Sequence, residues 1–319
     1  MTGMRQLPTT APAPTARATL DKAAGENFPV APFFLPRAWR TDLMAVYGYA
    51  RLVDDIGDGD LAPGGADAHW LGVAPADADD RLLMLDALEA DLRRVFDADA
   101  DADADADAGA GGPGHPLLRK LGPTVRERAL TPGPFLDLIE ANRQDQVVKR
   151  YETAGELLAY CELSANPVGH LVLQLTGTMT PERLRRSDAV CTALQIIEHL
   201  QDVAEDLARD RIYLPAEDMR RFHVTEADLA APSANASVRA LIAFEAQRAG
   251  ELLDEGMGLV ASVHGRLRLL LAGFTAGGRA ALGAIKAARY DVLTGPPTPA
   301  KANLVREVGA VLRRARREG

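Results

Sequence analysis

Aromatic side chains are scarce in this 319-residue chain, at 5%, and only two cysteines occur, Cys161 and Cys191. Both cysteines fall in helix-patterned segments and are expected to be free thiols, which excludes a disulfide framework. No apolar run approaches the roughly 20 residues of a helical membrane span. No convincing set of alternating strands occurs either. Basic charge is in the minority: 36 Lys and Arg against 45 Asp and Glu leave a net charge of −9. That balance argues against a general nucleic-acid binder. A dinucleotide-binding glycine fingerprint is missing as well. Residues 1–20, rich in Ala, Pro and Thr, lack the apolar core of a signal peptide and read as a disordered tail. These absences point to a cytoplasmic protein.

What is present is helix. At 47% hydrophobic, the chain can bury a substantial core, and one all-α domain over residues 21–319 is expected. Apolar residues recur at three and four over 41–57, 79–96, 134–151, 154–177, 181–207, 237–263 and 266–290. The last stretch is expected to break at Gly273 or near Gly277-Gly278. Pro132 and Pro134 mark one helix entry, and Gly295-Pro-Pro297 marks an exit. Residues 97–107 are a literal Asp-Ala repeat running into a glycine-rich stretch. It reads as a solvated acidic loop, 97–114, because its charges repel and nothing in it can pack.

Two pairs of aspartates are the most informative residues. Asp54 and Asp58 lie in Arg51-Leu-Val-Asp-Asp-Ile-Gly-Asp58, and Asp202 and Asp206 in Gln201-Asp-Val-Ala-Glu-Asp206. Each pair is spaced by one helical turn, so its carboxylates point the same way. Two such helices face to face make an acidic cage for a hard cation such as Mg²⁺, which prefers oxygen ligands. At about 100° per residue, Leu43, Ala50, Arg51, Asp54 and Asp58 fall within about 60° of Tyr47. The opposite face carries Ala45, Tyr49, Leu52, Val53 and Ile56. A helix apolar on nearly every side is buried, and its acids need partners or a metal. The alternative is a solvated helix end, since Gly57 and Gly59 suggest a stop there. In the second segment, Gln195, Glu198, His199, Asp202, Glu205, Asp206 and Arg209 form a polar stripe opposite Ile196, Ile197, Leu200, Val203 and Leu207. Taken alone, that pattern is also what an ordinary surface helix shows.

Between the pairs, Pro167 interrupts the 154–177 segment. It removes a helical hydrogen bond and biases Asn166 away from helical geometry. The kink either opens room for a substrate beside Asn166 or is a packing feature. Tyr160, one turn before Ser164, either supports a cation through its ring or hydroxyl or is core.

The two acidic segments resemble the aspartate-rich motifs of the squalene/phytoene synthase family, the head-to-head isoprenoid synthases. Tyr47, Arg51, Asp54, Asp55 and Asp58 match the first motif, and Asp202, Asp206, Arg211, Tyr213 and Pro215 the second. Tyr160-Cys-Glu-Leu-Ser-Ala-Asn-Pro-Val-Gly169 is similar to the segment between them, and the resemblance runs from about residue 26 to about 293. Within the family, Glu26-Asn-Phe-Pro-Val30, Arg143-Gln-Asp-Gln146 and Ser164-Ala-Asn-Pro-Val-Gly169 look like the bacterial hydroxysqualene-forming branch of squalene and hopanoid biosynthesis. Glu198 and Asp210 depart from the family pattern, which has Asn and Gly there.

The resemblance implies a single helical bundle around a central cavity and a prenyl diphosphate substrate. It implies Mg²⁺ held by Asp54, Asp58, Asp202 and Asp206, with Asp55, Glu198 and Glu205 as further acids. Tyr47, Arg51, Arg143, Gln201, Arg211 and Tyr213 would bind substrate. Tyr160, Ser164 and Asn166 would be catalytic, the last two as partners of a single water. Presqualene diphosphate would ionise in an apolar tunnel and water would capture the cation, with no nicotinamide required. Two other readings stay open: another head-to-head synthase, or a non-catalytic relative serving as a scaffold. Association with other squalene-pathway enzymes is a further expectation. So is transient membrane contact through Arg306, Arg313, Arg314, Arg316 and Arg317.

Overall fold

Helix α1 spans Arg37–Asp58, entered from Pro36 and closed by Gly59, whose φ of 75° lets its N–H reach the carbonyls of Asp55 and Ile56. A computed structural model supplies these coordinates and describes residues 19–20, 30–62, 65–97 and 112–318. Most of the expected N-terminal tail and nearly all of the Asp-Ala loop lie outside the described residues. After α1 come α2 (Ala66–Leu71), α3 (Arg81–Asp97), α4 (Pro116–Arg128) and α5 (Gly133–Val147). Both α4 and α5 carry proline in the first turn, where its missing N–H has no intrahelical partner to lose. Helix α6 (Ala154–Ser164) is capped by the Thr153 hydroxyl, and α7 (Asn166–Leu175) follows at once. Helix α8 (Pro181–Gln201) is capped by Thr180 and continues into the short α9 (Val203–Ala208). The rest are α10 (Ala216–Arg221), α11 (Glu226–Leu229), α12 (Ala236–Glu255), α13 (Met257–Ala261), α14 (Gly265–Ala287) and α15 (Lys301–Glu318).

Two apolar clusters hold the bundle. The first joins α1, α3, α4 and α5 to α7, α13, α14 and α15, around side chains such as Tyr49, Leu52, Leu88 and Phe135. Tyr49 is wholly buried; its hydroxyl donates to the Phe135 carbonyl at 2.8 Å, and the two rings meet edge to face at 5.1 Å. The second cluster joins α6, α8 and α12 around Ile196, Ile197, Leu241 and Leu253. Helix α8 packs against α6, α7, α12, α13 and α14 and is the axis of that half. Each large apolar side chain taken out of water contributes roughly 1.5–3 kcal/mol.

The fold is all-α, as the periodicity predicts. Among the described residues the only extended pairing is one parallel bridge, Arg150 with Ile212. No described helix is long and apolar enough to cross a membrane. Several element boundaries differ from expectation. The 154–177 segment breaks at Ala165 (φ −114°, ψ −47°), one residue earlier than predicted, and Asn166 is the first residue of α7. Pro167 then occupies the second helical position, where it is tolerated. The 181–207 stretch breaks at Asp202 (φ −106°, ψ 13°) and the 237–263 stretch at Gly256. Helix α14, expected to break at its glycines, runs through them. Helix α5 stops at Val147 because the following residues bond across the chain, Ile212 N–H to the Lys149 carbonyl and Ala216 N–H to the Tyr151 carbonyl. Helix α4 escaped the periodicity because Gly122 and Pro123 interrupt its pattern.

Candidate active site

One cavity of about 300 Å³ gathers both aspartate pairs. Asp54 and Asp58 line it from α1, Asn142 and Asp145 from α5, and Tyr160 and Ser164 from α6. The whole polar stripe of α8 and α9, Gln195, Glu198, His199, Asp202, Glu205, Asp206 and Arg209, forms the opposing wall, and Arg211 and Tyr213 close it. The stripe that resembled a solvated surface is thus the inner face of a cavity. A larger groove of about 660 Å³ lies between α1 and α4 beside Arg37 and Lys120. It holds none of the motif aspartates, so chemistry rather than size identifies the site.

Close backbone approach brings the walls together. A Cβ on Gly57 would fall 1.9 Å from Asn142 Oδ1, so only glycine lets α1 pass α5 at this distance. Asn142 Nδ2 then reaches Asp54 Oδ1 at 3.3 Å, and Gln146 Nε2 and Arg81 Nη1 donate to the Gly57 carbonyl at 3.0 and 3.1 Å. Those donors satisfy a carbonyl that the end of the helix leaves open. Arginines tie the two motifs across the cavity. Arg211 Nη1 pairs with Asp58 Oδ1 at 2.7 Å and Arg209 Nη1 with Asp58 Oδ2 at 3.1 Å.

The cavity is lined by eight acids against three arginines. Burial first, and the neighbouring Asp202 second, push the Asp206 carboxyl up to about 7. The Asp202 carboxyl is raised as well, by burial and then by Glu205. Burial thus disfavours the charged form of both carboxyls, and the neighbouring acids add to it. The donor set is all oxygen and suits a hard divalent cation. Among the described residues, no three His, Cys, Asp or Glu side chains are gathered closely enough to hold a metal ion alone. A cation that keeps several waters and takes phosphate oxygens needs only one or two carboxylates, so the residues fit Mg²⁺ bound together with a diphosphate.

An aromatic wall stands beside the acids. Asp145, half hidden in the sequence among Arg143-Gln-Asp-Gln146, accepts from the Tyr160 hydroxyl at 2.7 Å and the Tyr213 hydroxyl at 2.9 Å. The His199 ring stacks on Tyr213, centroids 3.7 Å apart and 9° from parallel. Burial, then Arg211, push the His199 imidazole down to about 3, so it is neutral. The Asp206 carboxylate, 3.9 Å from His199 Nδ1, does not reverse that.

Five expected site residues do not line this cavity. Arg143 is committed to Glu89 and Asp86 and fastens α5 to α3, because those acids lie nearer than any cavity group. Gln201 donates its amide to the Pro297 carbonyl at 2.6 Å. Asn166 is buried and accepts from the Thr192 hydroxyl at 3.0 Å. Asp55 is buried and anchors Arg51 Nε at 2.9 Å, which leaves that guanidinium facing the cavity. Tyr47, also named, lies outside the lining. Asp60, Asn142, Asp145, Gln195, His199 and Arg209 also line the cavity without being among the expected site residues; of these, the polar stripe contains Gln195, His199 and Arg209.

A second, apolar void of about 70 Å³ lies between α7, α8, α13 and α14, lined by Val168, Leu194, Leu259, Leu271 and Phe274. Its volume matches about two waters.

These features agree with the comparisons to known proteins. The family profile of squalene/phytoene synthase matches residues 21–306. A hydroxysqualene synthase of Zymomonas mobilis is 32% identical over 244 residues, 75% of this chain and 71% of that protein. A phytoene synthase of Mycobacterium tuberculosis is 27% identical over 245 residues, 76% of this chain and 71% of that protein. Squalene synthase HpnC from Alicyclobacillus acidocaldarius shares the structure at a TM-score of 0.68 and 37% identity, over 88% of this chain and 96% of that one. A ligand-bound dehydrosqualene synthase has a TM-score of 0.75 at 23% identity, over 95% of this chain and 96% of that one, a likeness of fold. With this fold, this ordered pair of aspartate motifs and a profile match over most of its length, the chain belongs to the squalene/phytoene synthase family.

Proposed function

We propose that the chain converts presqualene diphosphate and water into hydroxysqualene and diphosphate. The observation that carries this reading is the meeting of Asp54, Asp58, Asp202 and Asp206 in one cavity with neutral polar groups, Ser164, Gln195 and His199, on the same lining. The 32% identity to a protein named hydroxysqualene synthase supports the choice within the family.

Asp54, Asp58, Asp202 and Asp206 would hold Mg²⁺, with Glu198 and Glu205 at the rim. When bound, Mg²⁺ supplies charge neutralisation that makes diphosphate a competent leaving group. Arg51 offers its guanidinium to phosphate oxygens from its anchor on Asp55, and Arg209 and Arg211 add positive charge beside Asp58. As the carbon–oxygen bond to diphosphate breaks, its electron pair leaves with the diphosphate and a cation remains. Tyr160, Tyr213 and His199, packed ring against ring, stand on the lining of that region. The Tyr160 and Tyr213 hydroxyls are both spent on Asp145, so any support they give the cation would come through their rings. The protein walls keep bulk water from quenching it at random.

Incubation with presqualene diphosphate and Mg²⁺, without a nicotinamide, should yield hydroxysqualene. Turnover of farnesyl or geranylgeranyl diphosphate to a hydrocarbon, with presqualene diphosphate ignored, would replace this reading by that of another head-to-head synthase.

A further inference from the structure

Ser164 Oγ is buried, lines the active-site cavity and has no hydrogen-bond partner in the protein. A serine near a helix end usually bonds back to the carbonyl one turn earlier; this one does not. An unpaired buried hydroxyl costs about 1–3 kcal/mol, so its persistence beside a cavity points to a partner that the chain does not supply. The neighbouring candidate, Asn166, is already taken by Thr192.

Two other polar side chains share the same cavity. Gln195 and His199 stand one turn apart on α8 and are hydrogen-bonded to each other, Nε2 to Nε2 at 3.3 Å, which leaves the Gln195 amide oxygen and its second N–H and the His199 Nδ1 edge for other partners. The imidazole cannot turn freely. It stacks on Tyr213, and Tyr213 is held through its hydroxyl by Asp145. A fixed imidazole edge, an amide and a free hydroxyl amount to the two to four polar partners that an ordered buried water needs.

We propose that Ser164, Gln195 and His199 hold the one water that captures the cation, and that this water site determines that the product is an alcohol. Asp145 is a positioning residue for it, acting through Tyr213. The inference rests on the hydroxysqualene reading above. In the capture step a water lone pair forms the new carbon–oxygen bond. One proton leaves the resulting oxonium and passes to the diphosphate released in the same cavity. Nothing is oxidised or reduced.

The test compares wild type, Ser164→Ala, Ser164→Thr and His199→Phe, each with presqualene diphosphate and Mg²⁺ in ¹⁸O-labelled water. The readout is the ratio of labelled alcohol to hydrocarbon formed by proton loss, which a merely structural role would not move. Loss of one water contact worth about 1 kcal/mol or slightly more should lower that ratio about fivefold to tenfold in Ser164→Ala. His199→Phe, which keeps the stacking and loses both nitrogens, should lower it similarly. Ser164→Thr keeps the hydroxyl and should restore it. Far-UV circular dichroism checks each fold, and His199→Phe carries the test if Ser164→Ala does not fold. The wild-type ratio in both Ser164→Ala and His199→Phe overturns the water site while leaving the hydroxysqualene reading intact. A wild-type protein that forms no alcohol overturns both.

Discussion

Asp210 shows how a single residue departs from the family pattern without losing the structure. Its φ is 59°, in the left-handed region that glycine occupies at no cost. An aspartate is tolerated there, and Arg150 binds its carbonyl at 2.7 Å and its carboxylate at 2.9 Å. The next residue, Arg211, grips Asp58, so this turn adjoins the cavity. Asp210→Gly should leave stability within about 1 kcal/mol, because the lost ion pair is exposed and worth little. Asp210→Val should cost roughly 1–3 kcal/mol and lower turnover with it. Denaturant midpoints and initial rates check both; a harmless valine would show that Arg211 does not depend on this turn.

Glu245 offers a residue-scale prediction away from the metal-facing acids. It is 1% exposed on α12; one oxygen accepts from Arg248 at 2.6 Å and the other has no hydrogen-bond partner. Burial, with Asp218 adding to it and Arg248 opposing, pushes its carboxyl from 4.5 up to about 7. Between those values the folded state holds a proton that the unfolded chain has released, so this group's contribution to stability falls as pH rises. Glu245→Gln should remove a decline of at most about 3 kcal/mol between pH 5 and pH 7.5, measured as the change in denaturant midpoint. An unchanged pH dependence in the variant would contradict the assignment.

At the scale of elements, the helices were legible where periodicity was long and uninterrupted, as in α1, α8 and α14. The break at Ala165 was signalled to within one residue by Pro167, whereas the breaks at Asp202 and Gly256 leave the local apolar rhythm intact and were not legible. The polar stripe of α8 was fully readable as a stripe; that it faces a cavity depends on what packs around it. Arg143 misled for the same reason, since its partners Asp86 and Glu89 sit on another helix. Asp145 and His199 gave a polar signal but no spacing that foretold the Asp145–Tyr213–His199 stack. Helix α4 supplies a prediction at this scale. Asp91, 1% exposed, accepts from the backbone N–H groups of Gly114 at 2.7 Å and His115 at 2.8 Å and so fixes the start of α4. Replacing residues 98–111 with a short Gly-Ser linker should change stability by about 1 kcal/mol or less and activity little, because loop length has a weak logarithmic cost. Asp91→Ala should cost about 2–4 kcal/mol by leaving two N–H groups and Arg94 without their acceptor. A linker variant that loses activity would instead place the acidic loop in the function.

For the whole molecule, the helical bundle brings two distant acidic segments to one cavity and spans it with Arg209 and Arg211. Gly57 lets Asn142 approach and bond Asp54, and Asp145 holds Tyr160 and Tyr213 beside the acids. The central claim is that the four motif aspartates act as one site on a diphosphate. The direct measurement is the rate of diphosphate release from presqualene diphosphate with Mg²⁺, for wild type and for Asp202→Asn with an unchanged circular dichroism spectrum. Removing one carboxylate should take away at least ~3 kcal/mol of transition-state stabilisation, a loss of more than a hundredfold. A folded Asp202→Asn protein that releases diphosphate at close to the wild-type rate would contradict the account.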